Sequence, residues 1–214
     1  VCEAQQSLAG SAADRREMIR KLSKAIMKSG DILQAVRGGG HISFDDQHIL
    51  AATQWLLYSQ EVWGNRGYAH SYHLLHGWQQ PYPETTGYII PSLHKVYQRY
   101  GISEVRDSIS TAAKWLYSVQ DASGCFKDLQ GHPQVFDTGQ ILIGFNYLSE
   151  HLPELADTGR LRAAAEWLCK VQEKDGSFIA HAYHEIPHTY YSRVGAAMVK
   201  AGHILEDECI VRAG

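Results

Sequence analysis

Six residues have the types and the spacing for acid–base work on a polar substrate: Glu84, Asp137, His188, Tyr190, Tyr191 and Arg193. Glu84 lies between Pro83 and Thr85-Thr86, a poor place for a solvated charge to arise by chance. Asp137 stands in the tract Phe136-Asp137-Thr138-Gly139-Gln140. Two such carboxyls can divide the labour of glycosidic cleavage, one as acid and one as base or nucleophile. The tract from His188 to Arg193 offers a second chemistry. Elimination or C5 epimerisation of a uronic acid needs a cation for the carboxylate, a base for the C5 proton and an acid for the leaving oxygen. Arg, His and Tyr can fill these roles. Only one of Tyr190 and Tyr191 can share a helix face with Arg193. A purely structural account competes: Asp and Thr are preferred helix caps, so Asp137 and Thr86 would only satisfy backbone N–H groups. On that account a tyrosine packs between helices and Arg193 pairs with an acid.

Around these groups the chain is rich in amphipathic side chains, with twelve histidines and twelve tyrosines. Many fall between helical segments, which suits a wet cleft for a sugar or another polyol. Trp63 and Trp78 offer flat faces for sugar rings, and Tyr82, Gln140 and Tyr183 add hydrogen-bonding groups. His70, His73 and His76 recur every third residue, as do His181 and His184, but no acid or Cys stands beside them at ligand spacing. No metal and no cofactor is therefore expected. Asp175 precedes Gly176, the signature of a tight turn. Cys2, Cys125, Cys169 and Cys209 form no Cys-x-x-Cys pair and read as reduced thiols of a cytoplasmic protein.

The elements that position these residues repeat. Trp-x-x-x-x-Gln followed by Gly and then Thr occurs as Trp55, Gln60, Gly64, Thr86; as Trp115, Gln120, Gly124, Thr138; and as Trp167, Gln172, Gly176, Thr189. A period of roughly 50–60 residues marks stacked supersecondary units, each unable to bury its apolar face alone. Here the units are helical hairpins. Helices are predicted over 12–29, 45–61, 85–100, 104–119, 138–150, 158–173 and 189–202, with a break at Arg37-Gly38-Gly39-Gly40. The connection 62–84 is long for a stretch without structure of its own, which marks it as functional. Trp55, Trp115 and Trp167 are expected at equivalent buried places. Gln60, Gln120 and Gln172 are expected to bond backbone groups near the start of a neighbouring helix.

Aligning the copies on Thr86, Thr138 and Thr189 puts Thr85, Asp137 and His188 at one point, just before an inner helix. The N-termini of inner helices then share a mouth, and their free N–H groups favour a carboxylate, including that of a bound uronate. Trp78, Glu84, Asp137, His188 and one of the two tyrosines are expected to line one concavity there, covered by 62–84.

Composition excludes other classes. A net charge of −3 gives no basic footprint for nucleic acid. No apolar run approaches the ~20 residues of a membrane span. Val1-Cys2-Glu3-Ala4-Gln5-Gln6 lacks the pattern of a signal peptide, so the expected location is cytoplasmic, or periplasmic if a leader was removed. The whole chain, 1–214, reads as one domain. Leu205 to Gly214 resembles the run from Gly159 into Trp167, so a partial ring of about seven helices is expected, completed by further chain or by a homo-oligomer.

Two resemblances add to this. Gln172-Glu173-Lys174-Asp175-Gly176-Ser177-Phe178 resembles the Gln-x-x-Asp-Gly-Ser-Trp motif that ties barrel helices together in squalene and oxidosqualene cyclases. The catalytic Asp-x-Asp-Asp of those enzymes is absent, and the one Asp-Asp pair, Asp45-Asp46, opens a helix. The closer likeness covers residues 50–204. Gly77-Trp78, Tyr82-Pro83-Glu84-Thr85-Thr86-Gly87-Tyr88, Phe136-Asp137-Thr138-Gly139-Gln140-Ile141-Leu142 and Ile186-Pro187-His188-Thr189-Tyr190-Tyr191-Ser192-Arg193 resemble α/α-toroid proteins of bacterial exopolysaccharide biosynthesis clusters. Those proteins are related in fold to six-hairpin glycosidases and unsaturated glucuronyl hydrolases. The resemblance implies an all-α toroid acting on a poly- or oligosaccharide. Hydrolysis by Glu84 and Asp137 leads. Uronate elimination or epimerisation and non-catalytic glycan binding or scaffolding remain as alternatives.

Overall fold

The computed structural model describes residues 44–214. The helix expected over 12–29, the break at 37–40 and Cys2 lie outside the described residues. The chain divides into two compact units at Tyr58 and Ser59, and each is described by itself.

The described part of the first unit is helical. Helix α1 (Phe44–Glu61) begins there and carries Asp45 and Asp46 in its first turn, where negative charge complements the helix dipole. Within this part Trp55 is 44 % exposed.

The second unit is built from α2 (Pro83–Tyr100), α3 (Ser103–Val119), α4 (Val135–His151), α5 (Thr158–Val171), α6 (Ser192–Leu205) and α7 (Glu208–Ala213), joined by short 3-10 turns. Pro83 opens α2 and Gly101, at φ 67°, closes it. Asp157 and Asp207 cap α5 and α7 through the backbone N–H groups of Arg160 and of Cys209 and Ile210. The protein is all-α, with one small antiparallel hairpin among the described residues: β1 (Tyr72–His73) and β2 (Gly77–Trp78), in register Tyr72↔Trp78.

The helices form two layers. Helix α4 packs against α2 on one side and α6 on the other, while α3 lies on α2, α5 on α4 and α6, and α7 on α6 and α5. Glycines set the inner layer's close approach. A Cβ at Gly87 would fall 2.5 Å from the Ile141 backbone, and one at Gly139 would fall 2.6 Å from the Val194 side chain. Pro91, inside α2, removes the donor that the Gly87 carbonyl would otherwise receive. Gly144 of α4 approaches that same carbonyl, so closely that a Cβ there would lie 2.4 Å from the oxygen. Ile90, Leu93, Ile141, Leu142, Phe145 and Met198 belong to the core on these helices and are at most 1 % exposed. Each such side chain contributes about 1.5–3 kcal/mol of burial. Asn146 ties α4 to α6 through a 2.9 Å bond to the Ala197 carbonyl.

The three glutamines bond backbone carbonyls, but only Gln120 reaches the start of a neighbouring helix: Arg160 is the third residue of α5, whereas Ser108 lies in the second turn of α3 and Ala213 is the last residue of α7. Gln60 Nε2 donates to the carbonyls of Arg66 and Ser108, Gln120 Nε2 to those of Gly124 and Arg160, and Gln172 Nε2 to those of Gly176 and Ala213. In each copy one bond closes the local turn and the other reaches the next outer helix. Asp175 forms its turn as well, accepting from the N–H and hydroxyl of Ser177.

Four expectations need correction. The tryptophans are not equivalently buried: Trp167 is 7 % exposed, Trp115 is half-buried against Gly67, and Trp55 is exposed. Helix α4 starts at Val135, three residues earlier than the periodicity implied, so Asp137 lies inside the helix and Gln134 is its cap residue. The third copy is out of register. Thr86 and Thr138 are each the fourth residue of their helix, donate to the carbonyl four residues back, and accept from Tyr68 N–H and Phe126 N–H. Thr189 instead opens a 3-10 turn ahead of α6. Finally, the connection 62–84 has structure of its own. Its hairpin is closed at the base by the Ala69↔Pro81 bridge, and the next connection is closed likewise by Lys127↔Pro133.

Candidate active site

Glu84 and Asp137 stand in the first turns of α2 and α4, near enough for the charge of Asp137 to act on Glu84. Tyr82 precedes Pro83 in extended conformation, its N–H bound to the Tyr68 carbonyl and its own carbonyl taking the hydroxyls of Thr85 and Thr86. These bonds fix the backbone at the base of the hairpin and aim the phenol at α4. There the Tyr82 hydroxyl donates to Asp137 Oδ2. Asp137 is 7 % exposed. Burial raises its pKa above the ordinary carboxyl value, the Tyr82 bond opposes this, Asp128 adds to the rise, and His70 lowers it. Because Asp137 receives this side-chain bond at a position inside the helix, a cap alone does not account for it.

Glu84 is pushed up to about 7, first by burial and then by the negative charge of Asp137, with Arg193 pulling the other way. Burial and the charges of Asp137, Glu84 and Asp128 raise the Tyr82 phenol well above its usual range. Asp128 belongs to the same field. Burial works against its charge, but the N–H of His132, the Gln134 side chain and the N–H of Gln130 outweigh that and hold its carboxyl low.

His70 is the member that sequence reasoning missed. Its ring stands edge-on to Tyr82 at 5.1 Å, its Nδ1 lies 3.0 Å from Ser71 Oγ, and its charge reaches Asp137. The every-third-residue series concealed it by suggesting a ligand set. His73 and His76 stack on one another at the far end of the hairpin, and His73 Nδ1 accepts from Leu75 and His76 N–H. Among the described residues no group of three or more His, Cys, Asp or Glu stands where it could hold a metal ion.

The aromatic residues of the third connection form an adjoining cluster. His188 stacks on Tyr190 at 4.9 Å, and Phe136, next to Asp137, meets Tyr190 edge-on at 5.1 Å. The Tyr191 hydroxyl accepts the Tyr183 N–H, and burial pushes the phenol up to about 12. His188 Nε2 lies 3.1 Å from the Tyr183 carbonyl. His188 and Tyr191 also line a cavity of about 300 Å³ with Gln172, Phe178, Arg212 and Gly214. Trp78, Glu84 and Asp137 do not line it, so the single concavity expected from sequence is not this one. The displaced register of the third copy is the reason.

The candidate binding residues are scattered. Trp78 sits on β2, edge-on to Tyr72 at 5.1 Å. The indole N–H of Trp63 and the amide nitrogen of Gln140 are buried with no hydrogen-bond partner, and Gln140 stands one turn beyond Asp137. Tyr183 is 61 % exposed.

Comparison of the chain with protein-family models, with curated proteins and with solved structures finds no match. Two interacting carboxyls, one titrating near neutrality and one held by a phenol donor, can give and take a proton in the same reaction. No helix among the described residues is long and apolar enough to cross a membrane.

Proposed function

We propose that this protein is a carbohydrate-active enzyme of α/α-toroid type that hydrolyses a glycosidic bond in a poly- or oligosaccharide. Glu84 is the general acid and Asp137 the base or nucleophile. The observation that carries the reading is the placement of Glu84 and Asp137 in the first turns of two helices that pack on one another, with the Tyr82 hydroxyl bonded to Asp137. The charge of Asp137 raises Glu84, so Asp137 ionises first, helped by the Tyr82 hydroxyl. Glu84 then keeps its proton to about pH 7, where it can be given to a leaving oxygen.

The toroid reading is supported by the two-layer alternation of inner and outer helices and by the glutamine bonds between successive copies. The setting in exopolysaccharide biosynthesis rests on the motif resemblance. Elimination or epimerisation draws less support. The Tyr191 hydroxyl is committed to the Tyr183 N–H, and at about 12 it is a poor base near neutrality.

The test is turnover of a polysaccharide panel, read as new reducing ends, by the wild type and by Glu84→Gln and Asp137→Asn. Lost turnover with retained glycan binding supports the assignment. Unchanged turnover in Glu84→Gln would sink Glu84 as the acid. Retention of glycans by a wild type that cleaves none of them would make the protein a binder.

A further inference from the structure

The inner helices α2, α4 and α6 carry different charges in their first turns. Helix α2 has Glu84 and α4 has Asp137, but α6 has no acid there and instead presents Arg193 as its second residue. The first turn of α6 is seated on α4 through Val194, which packs onto Gly139. That contact sets Arg193 beside the first turn of α4, and its charge acts on Glu84 and on Tyr88 of α2.

Arg193 is exposed, and among the described residues it makes no hydrogen bond and no ion pair within 4.0 Å. Glu84 feels the charge of Arg193 without an ion pair within 4.0 Å, and the other two acids of the cluster are engaged elsewhere. Asp137 accepts from Tyr82, and Asp128 accepts from the N–H groups of Gln130 and His132 and from Gln134. The five N–H donors of the guanidinium thus remain unspent at the edge of the carboxyl pair. Their planar fork matches a carboxylate in two parallel bonds. The N-terminal end of α6, with no acid to offset it, adds potential of the same sign.

We infer that the glycan is acidic, and that Arg193 holds the carboxylate of a uronate unit next to Glu84. This rests on the reading of the site as a glycan site and narrows it to one substrate class. A neutral sugar in the same place would offer the guanidinium only single, uncharged hydroxyl acceptors in place of water. A uronate replaces that water with two charge-assisted hydrogen bonds. Arg193 is then the residue that separates acidic from neutral glycans, while Glu84 and Asp137 carry the chemistry.

The experiment uses the full chain against an array of carboxylated, sulfated and neutral polysaccharides. Each carboxylated member is also presented after chemical reduction of its uronates to neutral sugars. Retention of carboxylated glycans, with loss on reduction, is the expected result. Arg193→Gln should weaken that binding on the order of tenfold to a hundredfold, and Arg193→Lys should restore part of it. Circular dichroism checks that each variant folds, which the exposed position favours. Equal binding of reduced and unreduced glycans, binding confined to sulfated or neutral ones, or an unchanged affinity in Arg193→Gln would overturn the inference and leave the glycan reading standing. Failure to bind any glycan on the array would remove both.

Discussion

The phenol of Tyr82 donates its hydrogen bond to the carboxylate of Asp137, linking the residue before α2 to the first turn of α4. The bond stabilises the charged form of Asp137 and so opposes the rise that burial imposes. Tyr82→Phe removes it. The carboxyl of Asp137 should then titrate at higher pH, and the acid limb of any activity profile should move up with it. Carbon-13 NMR titration of the aspartate carboxyls checks this without a substrate. A value that stays in place would show that the phenol does not tune Asp137.

Glu84 gives a pH dependence of stability with a definite sign. Its folded pKa is raised from the ordinary 4.5 to about 7, mainly by burial. The folded state therefore holds the proton more tightly than the unfolded chain. The resulting stabilisation is fully present below about 4.5 and is lost as pH rises towards 7. Glu84→Gln cannot ionise, so its melting temperature should fall less than that of the wild type between pH 5 and 8. Parallel melting curves for the two proteins would contradict the burial of this carboxyl.

Gln120 and Gln172 make the same pair of bonds in successive copies, but Gln120 is buried and Gln172 is not. Loss of one buried and one part-buried bond at about 1 kcal/mol each puts Gln120→Ala near 2 kcal/mol of destabilisation. Gln172→Ala should cost about 1 kcal/mol, because water replaces part of what is lost. Urea unfolding of both variants measures the difference.

Gly124 and Gly176 occupy matching turns, at φ 99° and 87°. A Cβ at Gly124 would fall 2.1 Å from the Ala163 carbonyl oxygen of α5, whereas one at Gly176 meets only Gln172 Nε2, at 4.0 Å. Gly176→Ala should cost the backbone strain alone, about 1–2 kcal/mol. Gly124→Ala adds a clash with backbone that cannot move aside, and should cost several times as much or prevent folding. Similar melting temperatures for the two variants would refute the packing of α5 on this turn.

The helical repeat was legible because its markers are local. Gln, Gly and the Trp-to-Gln spacing survive in each copy, and the bonds they make lie within a few residues or on the next helix. Placement of Glu84 and Asp137 in corresponding first turns was legible for the same reason, since Thr86 and Thr138 fix both turns. The third copy misled because Thr189 mimics those threonines while α6 begins at Ser192. Register there is set by Val194 against Gly139, a contact between helices that no spacing reveals. His70 was hidden for a similar reason. It reaches Tyr82 across a hairpin, and only the bridge between Ala69 and Pro81 brings the two together.

That bridge separates what is free to change from what is not. On its inner side Tyr68 and Tyr82 hold the phenol against Asp137. On its outer side the first connection runs through residues 70–80, while the second, closed by Lys127 and Pro133, needs only 128–132. The same clasp accommodates a long excursion and a short one. Changes of length beyond it leave the bond between Tyr82 and Asp137 in place, and substitutions there reach Asp137 only through the charges of His70 and Asp128, which lie on the outer side.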